Sequence, residues 1–160
     1  MPWLCAYEGL ALFLDADMVV KGDIGEVFAS FDGEVAMQIH QAQFEWASAM
    51  LFNCDRCRIL TPEFVNDKSN VMFDFRWAQR IGKLPAEWNH CVGYQDPAEA
   101  KLYHYTQGVP IWPETKGVED EPFVTEFKKM LQTVSWSELM GNSVHAEHVR
   151  KRLDQSRVSG

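Results

Sequence analysis

Two aspartates one residue apart, Asp15 and Asp17, stand at the end of a short apolar run in "ALFLDADMVVKGDIGEVF" (residues 11–28). Carboxylates this close repel each other unless a cation neutralises them. In an extended chain, residues i and i+2 project to the same side, which would bring two hard oxygen ligands to one spot. A divalent ion such as Mn²⁺ or Mg²⁺, bridged in turn to a diphosphate, would relieve the repulsion. The plainer alternative is that both aspartates cap a turn, a common use of Asp. His104, taken alone, reads as a hydrogen-bonded core histidine. A second pattern is the CxxC of Cys54 and Cys57, a zinc-ligand spacing that His90 and Cys91 could complete. No second close pair accompanies it, and ordinary reduced cysteines are the simpler reading.

The elements that must position these groups alternate between strand and helix. Residues 9–14 read as a buried strand, a Leu/Phe run bounded by Gly and Asp. "GDIGEVFASF" then turns into a short helix with Asp23 as N-cap. Residues 35–39 and 49–52, the latter ending at Asn53, are further strands. Thr61, Pro62 and Glu63 make a helix start. A second helix is expected over 73–81, closed by Gly82 as a C-cap. Strand character returns at 102–105, followed by helices over 122–133 and about 136–153 with a fraying tail over about 137–160. No repeat or linker divides the chain, so residues 1–160 are read as a single α/β domain. In open α/β sheets ligands sit beyond the carboxyl ends of strands, where Asp15 and Asp17 fall.

Composition narrows the function classes. With 160 residues and 46% hydrophobic content, the chain can build a core. A formal charge of −8 argues against nucleic-acid or anionic-membrane partners, which are held by clustered Lys and Arg. No apolar run reaches the roughly 18 residues of a membrane span, and a cytoplasmic location with reduced thiols is expected.

"LFLDADMVVKGDIGEVF" resembles the D-x-D segment of GT-A type, nucleotide-sugar-dependent glycosyltransferases, close to glycosyltransferase family 8. Three later stretches are similar to that family in the same order. "WASAMLFNCDRC" (46–57) resembles the strand ending at an Asn on the acceptor side. "IGKLPAEWN" (81–89) resembles the Leu-Pro-x-x-Trp-Asn loop of a bacterial branch, and "LYHYTQGVPIW" (102–112) the His-x-x-Gly segment. The resemblance implies a mixed sheet flanked by helices and a retaining transfer of sugar from a nucleotide-diphosphate sugar, such as a UDP-sugar, to an unknown acceptor. It makes Asp15, Asp17 and His104 ligands of Mn²⁺ or Mg²⁺. Asn53, Trp88 and Asn89 become candidates for the sugar and acceptor pocket, and Gly108 for backbone approach to the diphosphate.

The chain departs from the family pattern in two places. Family 8 members carry a Lys-Pro-Trp step after the histidine, whereas "GVPIW" has no lysine. The family also places its D-x-D after a nucleotide-binding half, so the chain is expected to be the C-terminal portion of a larger domain or a reduced homologue. A sheet lacking its first strands would expose an edge and favour self-association. Two other classes stay open: a non-catalytic sugar- or nucleotide-binding remnant, and a zinc-stabilised interaction module using Cys54, Cys57, His90 or Cys91, with His145 and His148 as a further pair.

Overall fold

Side chains that alternate along a strand serve two faces at once, and the apolar runs of this chain use both. The computed structural model describes residues 2–40, 47–94, 99–108 and 151. The chain divides into two compact units, Met1–Cys91 with Gln95–His104, and Val92–Tyr94 with Tyr105–Gly160. All the strands among the described residues lie in the first unit.

Its larger sheet contains β1 (Leu10–Leu14), β3 (Met37–Ile39), β4 (Ala49–Asn53) and β5 (Ile81–Lys83), in the order β1-β4-β3-β5. β4 runs antiparallel to both β1 and β3, and β5 is parallel to β3. A smaller sheet contains β2 (Met18–Val20), β6 (His90–Cys91) and β7 (Leu102–His104), in the order β2-β7-β6. β2 is antiparallel and β6 parallel to β7. Among the described residues, the helices α1 (Gly25–Ala29) and α2 (Pro62–Asn66) are short, and the two mixed sheets make a mixed α/β fold.

Register explains the two cores. Leu14 faces Ala49 and Leu12 faces Leu51, while Phe13 faces Met50, which in turn faces Ile39. Leu10, Leu12, Leu14, Ala49 and Leu51 therefore pack on one face, with Val27, Leu84, Trp88 and Leu102. Phe13, Met50, Phe52, Met37 and Ile39 pack on the other, with Cys57, Leu60 and Phe75. Met18 and Leu102 join the leucine-lined face, so the smaller sheet rests there. The buried Gln38 keeps its amide satisfied by accepting from the Asp32 N–H at 3.0 Å and donating to the Lys83 carbonyl at 2.8 Å.

Local signals set the helix starts. The Thr61 hydroxyl accepts from the Phe64 N–H at 3.2 Å, and Pro62 takes the first helical position. Asp23 sits one residue before the α1 cap, its carboxylate accepting from the Gly25 N–H at 2.9 Å. The helix expected over 73–81 does not form. A 3₁₀ turn, Met72–Asp74, is ended by Phe75 at φ 54°, and Gly82 lies inside β5 rather than at a helix end. The Asp74 carboxylate accepts from the Arg76 N–H, and this local bond competes with helix continuation. Of the helices expected beyond residue 120, only Lys151 falls among the described residues, and it is helical. No helix among the described residues is long and apolar enough to cross a membrane.

Candidate metal centre

β1 ends at Leu14, and the next residue makes one more ladder bond, with the Asp15 N–H donating to the Ser48 carbonyl at 3.0 Å. The chain then turns through Ala16 and Asp17 and enters β2 at Met18. The two aspartates thus sit at the crossing from the larger sheet to the smaller one. They approach through a turn, where the sequence reading had the i, i+2 alternation of an extended strand. Met18 pairs with His104 across β2 and β7, so the strand register places the imidazole beside Asp17.

The three side chains meet. His104 Nε2 lies 3.4 Å from Asp17 Oδ1 and 3.9 Å from Asp15 Oδ2. One ligand atom from each lies within 4.8 Å of the others. Ligands 2.0–2.2 Å from a common six-coordinate ion stand roughly 3.0 to 4.2 Å apart, which the two measured distances fit. His104 is 2% exposed, whereas the carboxylates of Asp15 and Asp17 are 38% and 37% exposed. The imidazole forms the floor of the cluster and the carboxylates its open side. Alternation along β7 accounts for the burial, because His104 points the same way as Leu102, a member of the core. His104 Nδ1 is buried and finds no hydrogen-bond partner among the described residues. Two carboxylates facing a buried ring nitrogen at these distances match a carboxylate and imidazole donor set for a divalent cation.

Protein CDI of Arabidopsis thaliana is 28% identical over 148 residues, a match covering 74% of this chain and 57% of that protein. The chain thus spans a little over half the length of the curated relative it matches. No protein-family model matches the chain, and no solved structure matches it.

Asn53 pairs with Leu10, whereas Ala49, at the other end of β4, pairs with Leu14. Because β4 runs against β1, Asn53 lies at the end of the sheet away from Asp15. Ser48, five residues earlier and 3% exposed, holds the Asp15 backbone instead. The antiparallel pairing that reveals this is invisible in the local sequence. Trp88 is 2% exposed within the leucine-lined core, with Lys101 Nζ 5.7 Å from its ring centroid, so the ring is a packing element. Asn89 is fully buried just after the 3₁₀ turn Ala86–Trp88. Gly108, in the second unit, has φ 99° and donates its N–H to the Tyr105 carbonyl at 2.8 Å.

The cysteine pattern does not build the alternative zinc set. Cys54 and Cys57 occupy a 3₁₀ turn directly after β4, while His90 and Cys91 form β6 in the other sheet. Among the described residues, Asp15, Asp17 and His104 form the one group of three metal-ligating side chains within common reach. His145 and His148 lie outside the described residues.

Proposed function

We propose that this chain carries the metal-binding part of a glycosyltransferase that moves a sugar from a nucleotide-diphosphate sugar, such as a UDP-sugar, to an acceptor, with retention at the anomeric carbon. The observation that supports this reading is the meeting of Asp15, Asp17 and His104 at one partly open spot. The D-x-D resemblance supplies the substrate class. A bound Mn²⁺ or Mg²⁺ would stabilise the charge of a departing nucleoside diphosphate.

The chain's own residues have distinct tasks in this scheme. Asp17 and Asp15 present oxygens on the solvent side, and His104 presents Nε2 from the buried side. The Ser48 carbonyl fixes the Asp15 backbone, so one carboxylate is anchored to the larger sheet while β7 anchors the imidazole in the smaller one. The neutral imidazole is the form of His104 that can ligate a cation. Cys5, Cys54, Cys57 and Cys91, none joined in a disulfide, fit the proposed cytoplasmic setting.

Calorimetry with Mn²⁺ alone, then with Mn²⁺ and a UDP-sugar, tests this function. Asp17→Asn is expected to weaken Mn²⁺ binding by roughly 100-fold and to abolish metal-dependent transfer or hydrolysis. Wild-type Mn²⁺ affinity and turnover in that variant would refute the assignment. Binding of metal and nucleotide sugar without turnover would instead support the reading of a non-catalytic remnant.

A further inference from the structure

Three of the four cysteines gather where two 3₁₀ turns pack against each other, away from the Asp/His cluster. Cys5 closes the turn Pro2–Cys5, and Cys54 opens the turn Cys54–Cys57. The packing is fastened at several points. The Cys54 N–H donates to the Gly9 carbonyl at 2.9 Å, and the Tyr7 hydroxyl donates to the Leu60 carbonyl at 3.4 Å. The Arg58 guanidinium lies 5.7 Å from the Tyr7 ring centroid. Ala6 and Tyr7, directly after Cys5, adopt left-handed φ values of 51° and 59°, which non-glycine residues keep only when surrounding contacts impose them. These contacts set the turn that ends at Cys5 against the turn that begins at Cys54, so that the Cys5 thiol acts on that of Cys54 as a neighbour. Cys5 is partly exposed, and Cys54 and Cys57 are buried. Cys57 is engaged elsewhere, its thiol donating to the Ala36 carbonyl at 3.2 Å.

We propose that Cys5 and Cys54 are a disulfide-forming pair, closed by a small disulfide oxidant such as glutathione disulfide. The partly exposed Cys5, as its thiolate, attacks one sulfur of the oxidant, breaking that S–S bond and releasing one glutathione thiolate. Cys54, as its thiolate, then attacks the Cys5 sulfur of the mixed disulfide and releases the second glutathione. The two protons end on the two glutathione thiols, and the two electrons reduce the oxidant. Burial and the neighbouring Cys5 thiol push Cys54 up to about 11, so Cys5 is the entry point and the closing step is the slower one. The bridge would fasten the N-terminal turn to the segment leaving β4, next to the pairing of Leu10 with Asn53.

The test uses the full chain, incubated with glutathione disulfide, with free thiols counted and peptides mapped by mass spectrometry. Free thiols are expected to fall from the four present to two, with Cys5 and Cys54 recovered in one linked peptide. The thermal midpoint should rise by roughly 5–10 °C and return on reduction. A Cys54→Ser variant should stop with glutathione held on Cys5. Four persisting thiols, a peptide linking Cys54 to Cys57, or a Cys5→Ser variant that still loses two thiols would each overturn the proposal.

Discussion

Trp88 shows how burial separates two roles that one residue type can fill. An indole beside a binding loop can stack on a sugar face, but here the ring belongs to the core beneath β1 and β4. Trp88→Ala is therefore expected to cost about 3–5 kcal/mol of stability, read as a lowered denaturant midpoint. Trp88→Phe should keep most of it, since a flat aromatic still fills much of the space. An unchanged midpoint in Trp88→Ala would return the residue to a ligand-facing role. His104 has the opposite history. Its type alone suggests a core histidine, and it is indeed buried, yet its Nε2 faces two carboxylates.

At the scale of elements, Gly82 decides between two local readings. A glycine ending a helix takes a left-handed φ. Gly82 is not among the residues with positive φ, and it pairs with Gln38 in a parallel ladder. A Cβ at this position would lie 2.9 Å from Gln38 Cγ and 3.1 Å from Val35 Cγ1. The glycine is thus required by close approach of β5 to β3. Gly82→Val should cost about 1–3 kcal/mol through overpacking, measured by equilibrium denaturation. A helix C-cap role would leave Gln38 and its bonds to Asp32 and Lys83 undisturbed, whereas the strand reading predicts faster amide exchange at Asp32, whose N–H donates to the Gln38 side chain. Wild-type exchange at Asp32 in the valine variant would argue for the helix end.

For the whole molecule, the buried thiols tie stability to alkaline pH. Burial first, and then the neighbouring Cys54, push Cys57 from 9.0 up to about 12. The unfolded chain ionises this thiol near 9, while the folded chain keeps it protonated until about 12. Between those values the unfolded state binds fewer protons, so stability is complete below pH 9 and declines as pH rises through this window. The stability advantage of the wild type over Cys57→Ala should accordingly shrink between pH 8 and about 11, as measured by denaturant midpoints. A constant difference across that range would show that the thiol is not protected by the fold.

The strands at 9–14 and 49–52 were legible because short continuous apolar runs bounded by turn or polar residues carry their own signature. The start of α2 was legible for a similar reason, since Thr61 and Pro62 act within one turn of chain. The aspartate pair was visible as two like charges needing a neutralising partner. What the chain could not declare locally was pairing. The antiparallel register of β4 sends Asn53 to the far end of the sheet and gives Ser48 to Asp15, while that of β7 brings His104 to Asp17. The Cys5 and Cys54 neighbourhood and the strand placement of Gly82 arise in the same way. Propensity and capping act over a few residues, whereas register is fixed by burying both faces of a sheet at once, a condition that only the assembled chain meets.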